Sequence, residues 1–483
     1  MSAVPSAAQE ESPRNLQFHA HATSTFFTTL LLISFTLLLL FYLRRRRQKL
    51  GSVTTLVVSS PAIARDVLKT NDLSLCSRPD IATWRRYSYG SLEVALSPYS
   101  PRWVSARRLL VTHFLSPRPV RGLSAAREEE VRTLMNTVAA AAVFGHTVDL
   151  SKSLMSLVSC IVCRAVFGKR FAPAGESSMS EIGGVLCLTA EILGGFVAGD
   201  YFPWARRWLN AVTGVHGRLE RSFKEWDDLF EREIKERERA GTGSSDDGTY
   251  ASVLMRLVRE EQSNKEGGLT RDAVKAFLWD LMFGGTDTTV TTLQWAMAEL
   301  VRTPRVLARA QEEVRRVAAG KSYVDEEDLP RLSYLQAIVK EILRLHPAAP
   351  LMLPHECQQS CKVAGYDVPA GTRIYINAWS IGRDANLWDK PDEFRPERFE
   401  GSSVDYQGQC FELVPFGSGR RICPGILMAE WVIWLTLANL LHGFDWALPA
   451  GVRREDLDMS EVFGLVVSKK EPLVLMATPA KLL

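Results

Sequence analysis

A long regular hydrophobic pattern spans residues 271–302, and it predicts a single α-helix. An apolar stretch from about residue 426 to residue 441 predicts a second helix. Strongly charged faces over residues 218–239 and 304–317 are typical of helices with one side in water. From residue 102 onward, most of the chain follows such helical patterns.

Strand patterns are fewer and lie towards both ends of the chain. Residues 51–60 are rich in β-branched side chains and predict a strand, after which Pro61 begins a short helix. Further strand-like runs occur over residues 363–376 and 465–476, whereas residues 71–100 predict a long irregular loop. The patterns together predict a mainly α fold with small β-sheets.

One segment near the N-terminus is long and apolar enough to span a bilayer. Residues 26–43 are uncharged and would rise about 27 Å as a helix, close to the thickness of the hydrocarbon core. Arginines follow it directly, so the positive-inside rule places the N-terminus in the lumen and the body in the cytosol. A cleaved signal peptide would carry its basic residues before the apolar core, which favours an uncleaved anchor. We predict a lumenal tail (1–25), a transmembrane signal anchor (26–43), a basic stop-transfer segment (44–50) and one domain (51–483).

Composition narrows the class of protein. A hydrophobic share of 46 % and a charged share of 23 % over 483 residues are those of a globular protein with a large core. The net charge of +3 is too small to indicate a nucleic-acid-binding protein. The 8 irregularly spaced cysteines do not form a disulfide framework, which favours a reducing compartment.

The most informative stretch is a glycine-rich turn that ends in a cysteine. Phe416, Gly419, Arg421, Cys423 and Gly425 stand at fixed offsets directly before the second apolar helix. A thiolate at such a turn, near a helix N-terminus, suits an axial ligand of haem iron, and glycines let the backbone approach a flat cofactor. The arginine can pair with a haem propionate. A structural cysteine in a Pro-Gly turn is the alternative.

Two adjacent glycines interrupt the helix predicted over residues 271–302. Each glycine in a helix interior costs about 1 kcal/mol relative to alanine, so the pair needs a reason. Gly284 and Thr288 lie four apart on one face, where a missing side chain leaves room for a small ligand that the hydroxyl can bond. Asp287 is placed to supply protons. A helix kink without chemical use is the alternative.

Other thiols indicate chemistry less strongly. Cys160 and Cys163 have the spacing of a redox motif, but their apolar helical surroundings predict two core thiols. His355, Cys357 and Cys361 lack an evident fourth ligand for zinc, so a zinc site is disfavoured.

From about residue 51 to its C-terminus, the chain resembles the cytochrome P-450 family of haem-thiolate monooxygenases, in particular the plant microsomal group of secondary metabolism. The resemblance implies one mainly helical domain with small β-sheets. It also implies a haem b cofactor between the helix of Thr288 and the loop of Cys423. Asp287 and Thr288 would be the catalytic groups that deliver protons during oxygen activation. The residues that carry the resemblance are Asp287, Thr288, Glu341, Arg344, Arg398 and the turn over residues 416–425.

The resemblance implies further residue roles. Glu341, Arg344 and Arg398 would form a structural core network, although a Glu–Arg pair at this spacing is usually a weak surface ion pair. Trp103 and Arg107 resemble a pair that holds one haem propionate, with a core tryptophan beside a surface arginine as the alternative. His355 stands where the family has a residue that faces the other propionate, and a loop histidine is its alternative. The implied cofactor contacts are Cys423, Arg421, Phe416, Gly419, Gly425, Trp103, Arg107, His355 and Gly284.

The implied reaction is hydroxylation of a small lipophilic metabolite, such as a terpenoid, phenolic or indolic compound, by dioxygen and electrons from NADPH. A flavoprotein reductase at the endoplasmic reticulum membrane would relay the electrons, and cytochrome b5 is a further candidate partner. A haem-thiolate isomerase or dehydratase and a catalytically impaired haem-binding membrane protein are the alternatives. By position, the substrate pocket would draw on residues 80–97, Ala276, Phe277, Asp280, Gly284, 348–352 and 463–466.

One departure from the family concerns the chain before residue 51. Members carry a proline-rich hinge, a first helix and a first strand after the basic cluster, whereas here Lys49 and Leu50 run directly into the strand predicted over residues 51–60. The missing segment would leave a strand edge unpaired, and stability or substrate access would suffer while haem ligation survives.

Overall fold

A computed structural model of the protein describes residues 49–171, 181–194, 197–240, 248–262 and 269–480. The chain divides into two units, Met1–Leu50 and Gly51–Leu483, and the second carries all the features discussed below. The predicted lumenal tail, the membrane anchor and the arginines after it lie outside the described residues. The absence of a hinge and a first helix before residue 51 stays a prediction, whereas a strand of two residues, Lys49–Leu50, does form there.

Helices make up most of the described chain, as the sequence pattern predicts. In chain order they are α1 Pro61–Arg65, α2 Asp72–Leu75, α3 Ala82–Tyr87, α4 Pro101–Leu110, α5 Pro117–Gly122, α6 Ser124–Val143, α7 Leu150–Phe167, α8 Glu181–Gly194, α9 Ala198–Tyr201, α10 Arg206–Val212, α11 Val215–Ala240, α12 Tyr250–Gln262, α13 Arg271–Arg302, α14 Pro304–Val317, α15 Ser333–Leu345, α16 Ala378–Ile381 and α17 Ile426–Gly443. A π-helical turn, Asp66–Thr70, continues α1.

Short strands form the rest of the regular structure. They are β1 Lys49–Leu50, β2 Val53–Val58, β3 Thr147–Asp149, β4 His355–Glu356, β5 Cys361–Val363, β6 Tyr366–Val368, β7 Arg373–Ile376, β8 Phe444–Ala447, β9 Glu461–Val462, β10 Ser468–Lys469 and β11 Val474–Pro479.

The long helix α13 confirms the prediction over residues 271–302 and lies at the centre of the domain. The Thr270 side chain accepts the Ala273 N–H at 3.2 Å and so caps its first turn. Apolar side chains surround the helix on most sides because it packs against α7, α11, α12, α15 and α17. This central position brings Gly284 and Thr288 to the interior of the protein.

The predicted strands around residues 51–60 and 363–376 are confirmed. β7 from the second run joins β2 in one sheet, whereas β5 and β6 form a separate antiparallel hairpin. β2 runs parallel to β7, with Thr55 opposite Arg373, and β4 pairs antiparallel with β7. A second antiparallel sheet has the order β3-β11-β8. The strand-like C-terminal run divides into β10 and β11, of which only β11 joins that sheet. β10 forms a hairpin with β9.

The prediction of one irregular loop over residues 71–100 is wrong in part, because α2 and α3 form within it. Contacts with distant residues hold α3. The Arg86 guanidinium binds the Glu220 carboxylate twice at 2.8 Å, and the Tyr87 hydroxyl donates to Ser222 Oγ at 2.9 Å. Such tertiary stabilisation leaves no periodic signal in a segment of six residues.

Two described helices are apolar enough to resemble membrane spans. Leu150–Phe167 (α7) and Ile426–Gly443 (α17) each have the length and hydropathy of a span, but 67 % of each is buried inside the protein. Their hydrophobicity therefore reflects a position in the core. Phe444 then leaves α17 in an extended conformation and begins β8.

Candidate active site

A cavity of about 330 Å³ lies within the domain, and the Cys423 turn and α13 both line it. Cys423 and Phe416 contribute from the turn, and Gly284 and Thr288 contribute from α13. The sequence-predicted groups therefore meet at one site. Much of the remaining wall is apolar and includes Val94, Leu96, Val162, Phe283, Ala349 and Val466.

The Cys423 side chain is half-buried at the end of its turn. Its backbone N–H donates to the Phe416 carbonyl at 2.9 Å, which closes the turn. Burial raises the pKa of the thiol, whereas a bond from the Gly425 backbone and the charge of Arg107 lower it. A Cβ at Gly425 would lie 3.8 Å from Cys423 Sγ, so this glycine keeps one side of the sulfur uncrowded.

The glycines of the turn serve different purposes. Gly417 and Gly419 both have positive φ, at 74° and 67°, which favours glycine at each. Gly417 lines the cavity, in accord with the prediction of close approach to a flat cofactor. Gly419 does not line the cavity, and a Cβ there would lie 2.2 Å from the Leu68 carbonyl oxygen. Gly419 is required for packing against the π-helical turn after α1.

Three arginines line the cavity near the turn. Arg421 donates to the carbonyls of Cys76 and Ser97 at 2.7 and 2.8 Å, and burial lowers its pKa to about 10. Arg107 donates to the Ile422 carbonyl at 2.5 Å. Arg78, the third, was not predicted from the sequence, because a lone arginine in a loop carries no pattern. Desolvation and the neighbouring Arg421 hold its pKa well below the usual range.

Trp103 and His355 occupy different positions relative to the cavity. The Trp103 indole N–H donates to the Val94 carbonyl at 2.9 Å, and its ring lies 4.0 Å from the Arg421 guanidinium carbon. Trp103 thus supports Arg421 from behind and does not line the cavity. His355 lines it, and its Nδ1 lies 3.0 Å from the Leu75 carbonyl. Burial and Arg78 lower the pKa of His355, which keeps the ring neutral.

The charge of this end of the cavity fits a haem group. Arg78, Arg107 and Arg421 bring three guanidinium groups into one largely apolar space, and Glu93 is the carboxylate that acts on two of them. Buried charges of one sign need a counter-charge. A haem carries two carboxylates, and it would place them among these arginines with its iron towards the Cys423 thiolate.

The α13 residues differ in what they present to the cavity. A Cβ at Gly284 would meet nothing within 4 Å, so the gap predicted at this position exists. The Thr288 hydroxyl donates to the Gly284 carbonyl at 3.0 Å. Asp287 does not line the cavity. Burial raises its pKa to about 6, and its carboxyl is close enough to Cys187 of α8 to raise the pKa of that thiol.

Glu341, Arg344 and Arg398 form one buried network. Arg344 Nε donates to Glu341 Oε2 at 2.7 Å, and Arg398 Nε donates to Glu341 Oε1 at 2.9 Å. Arg344 also donates to the Gly382 and Pro391 carbonyls at 2.5 and 2.6 Å. The network therefore ties α15 to the irregular segment before α17, and none of its members lines the cavity.

The remaining cysteines are free thiols that differ in burial. Cys160 and Cys163 lie buried on α7 without a disulfide, as predicted. Within the described ranges, no group of three or more histidine, cysteine and acidic side chains is arranged to hold a metal ion.

Two of the residues predicted to form the substrate pocket lie elsewhere. Ala276 and Phe277 are buried in the hydrophobic core, with relative exposures of 0 % and 1 %. Asp280 does line the cavity, one turn further along α13. Position along a helix does not reveal which of its apolar sides faces a cavity when every side is buried.

Comparison with known proteins places this architecture in a family. The family model of Cytochrome P450 matches residues 42–476. A relative from Persea americana, "Cytochrome P450 71A1", is 42 % identical over 430 residues, which cover 89 % of this chain and 85 % of the relative. "Tryptamine 5-hydroxylase" from Oryza sativa subsp. japonica is 42 % identical over 432 residues, covering 88 % of this chain and 82 % of that protein.

Solved structures support the same assignment. A zebra fish cytochrome P450 solved with progesterone superimposes with a TM-score of 0.76 at 26 % identity, covering 90 % of this chain and 96 % of that one. The mainly helical fold with small sheets is therefore that of known family members. The chain belongs to the cytochrome P450 family, within its plant A-type group, and it is a monooxygenase of the oxidoreductase class.

Proposed function

We propose that the protein hydroxylates a small lipophilic plant metabolite with dioxygen and with electrons that a flavoprotein reductase transfers from NADPH. One observation carries the proposal: Cys423, Gly284 and Thr288 line the same largely apolar cavity. A haem bound there would supply the oxygen activation, since a thiolate ligand donates electron density that favours O–O cleavage.

The residues around the cavity would hold the haem. Cys423 would ligate the iron, because its side chain lines the cavity at the end of the turn. Burial raises the pKa of its thiol, and the Gly425 backbone and Arg107 offset part of that rise. Arg78, Arg107 and Arg421 would bind the two carboxylates, and the neutral His355 would contribute one further hydrogen bond. Trp103 would act indirectly, by supporting the Arg421 side chain.

Protons would reach the cavity along α13. The Thr288 hydroxyl lies at the cavity wall, and Asp287 is adjacent on the side of α8. Because the pKa of Asp287 is raised to about 6, this carboxyl gains and loses a proton near neutral pH. We propose that Asp287 takes protons from solvent and that the Thr288 hydroxyl presents them at the cavity wall beside Gly284.

The cavity lining supports a lipophilic substrate. The side chains that line the cavity with Gly284 are mainly aliphatic or aromatic. Such a surface binds apolar molecules, because the bound molecule needs no charged group to pair with the protein. One relative is named for an indolic amine, tryptamine. Terpenoid, phenolic and indolic compounds are therefore the first substrates to screen.

The cellular setting belongs to the same proposal. A single anchor over residues 26–43 would fix the protein to the endoplasmic reticulum with its domain in the cytosol, where the reductase and cytochrome b5 would reach it. The test is oxygen consumption by the membrane-bound protein with NADPH, purified reductase and candidate substrates. Product that forms only when the reductase is present would support the proposal, whereas turnover of a fatty-acid hydroperoxide without NADPH would identify an isomerase or dehydratase.

A further inference from the structure

One wall of the cavity is an irregular segment, residues 93–97, that side chains from elsewhere hold in place. Val94, Ala95 and Leu96 of this segment line the cavity. The Val94 N–H donates to Asp280 Oδ2 at 2.7 Å, and the Ala95 carbonyl accepts from Arg78 Nε at 3.0 Å. Because the segment is neither helix nor strand, these bonds determine where the wall stands.

Glu93 folds the segment on itself. Its two carboxylate oxygens accept the Leu96 N–H at 2.9 and 2.8 Å, and Oε1 also accepts the Ser97 hydroxyl at 2.7 Å. The charges of Arg78 and Arg421 act on this carboxylate from outside the segment. The Glu93 carboxyl group therefore accepts bonds from two donors of its own segment, Leu96 and Ser97.

Asp280 on α13 lies in hydrogen-bond contact with Glu93. The backbone of Ala95, like that of Val94, favours the ionised form of Asp280, but both contributions are smaller than those of burial and Glu93. The Oδ1 atom of Asp280 is buried. Two carboxyl groups in contact repel each other when both are ionised, and a proton between them converts the repulsion into a hydrogen bond. Burial and Glu93 raise the pKa of Asp280 well above its usual range, in accord with this geometry.

We propose that Asp280 and Glu93 share one proton, and that this proton fixes the wall of residues 93–97 against α13 and so determines which substrates the cavity accepts. The proposal rests on the proposed function in one respect, namely that the ligand of this wall is the substrate. Asp280 is a positioning residue, since it acts on the substrate through Val94 and Leu96. When the shared proton leaves at high pH, the wall moves away from α13.

The test compares two azoles that bind haem iron, bulky clotrimazole and small imidazole, by their Soret shifts from about pH 6.5 to about pH 9.5. Only the bulky azole reaches the wall. Each affinity is referred to the concentration of the neutral azole, because free imidazole gains a proton near neutral pH, and the ratio of the two corrected affinities cancels effects on the iron. The clotrimazole preference is the affinity for clotrimazole divided by the affinity for imidazole. We expect this ratio to fall about fivefold in the wild type as pH rises, because the loss of about one hydrogen bond weakens binding by about that factor. Asp280→Asn should keep its preference throughout, because its amide accepts from Val94, donates to Glu93 and does not titrate. Asp280→Leu should show the low preference at every pH.

Equal pH profiles for the wild type and Asp280→Asn would overturn the proposal. A second measurement needs no haem: thermal unfolding of the full chain in detergent. A carboxyl whose folded pKa is raised stabilises the fold at low pH and loses this effect as pH rises through that pKa. The melting temperature of the wild type should therefore fall relative to that of Asp280→Asn, and parallel curves would contradict the shared proton. If the protein gives no haem spectrum, the proposed function is contradicted. The melting temperatures of the wild type and Asp280→Asn still test the shared proton in that case.

Discussion

The two ends of the cavity are built in different ways. The Cys423 face comprises residues 415–425 and the buried network of Glu341, Arg344 and Arg398. Backbone carbonyls at this face accept hydrogen bonds from the Arg421 and Arg107 side chains. A Cβ at Gly419 would meet the Leu68 carbonyl oxygen. At the α13 face (residues 280–292), Gly284 leaves open space and the Thr288 hydroxyl borders it. The first is a rigid frame for a cofactor, and the second leaves room for chemistry. Substitutions at the Cys423 face should therefore cost stability, and those at the α13 face should cost turnover.

The largest expected effect is at the buried network. Arg344→Ala should destabilise the protein by about 3–5 kcal/mol, because it leaves the Glu341 carboxylate buried with fewer partners. The matched control is Arg453→Ala, which removes an ion pair of the same spacing, to Asp456, in which both side chains are largely exposed. The control should change stability by about 0.5 kcal/mol or less. Denaturant unfolding measures both, and equal effects would contradict the rigid frame.

On the α13 face, Thr288→Val should lower product formation about 100-fold, since it removes the hydroxyl that presents protons. Its melting temperature should stay close to that of the wild type. Thr286→Val is the control, because Thr286 makes the same kind of bond, to the Met282 carbonyl at 2.7 Å, but does not line the cavity. Product and NADPH consumption are measured together. Equal losses in the two variants would show that Thr288 has no special role.

Two glycines sharpen the comparison within the Cys423 face. Gly417→Ala and Gly419→Ala both place a Cβ at positive φ, which costs about 1–2 kcal/mol. Only Gly419→Ala adds a steric clash, with the Leu68 carbonyl oxygen, so it should cost a further 1–3 kcal/mol, roughly the range for overpacking. The difference between their unfolding free energies isolates the clash. A larger cost for Gly417→Ala would contradict the packing role of Gly419.

The smallest effect concerns the titration of Asp287. Its folded pKa of about 6 exceeds the usual value of about 4, so its contribution to stability is present at low pH and is lost as pH rises from about 4 to about 6. The melting temperature of the wild type should therefore fall relative to that of Asp287→Asn across this interval and run parallel above it. A difference that grows above pH 7 instead would assign the titration to another group.

How much the sequence predicts depends on whether a feature is contiguous. The bounds of α13, the turn before α17 and the spacing of Gly284 and Thr288 are local, and patterns along the chain predict them. Arg78 and the contact between Glu93 and Asp280 join residues far apart in the sequence, so no pattern reveals them. The Asp287 carboxyl lies away from the cavity and near Cys187 of α8. No pattern along the chain reveals this position, because α8 and α13 are far apart in the sequence.

The carbon-monoxide difference spectrum of the reduced, membrane-expressed protein tests the central claim, that Cys423 is the thiolate ligand of a haem in this cavity. We predict a strongly red-shifted Soret band for the wild type and its loss in Cys423→Ser, while Cys160→Ser, which changes a thiol on α7 outside the cavity, keeps the band. Haem bound to the wild type without the shift, or a band that survives in Cys423→Ser, would contradict the account.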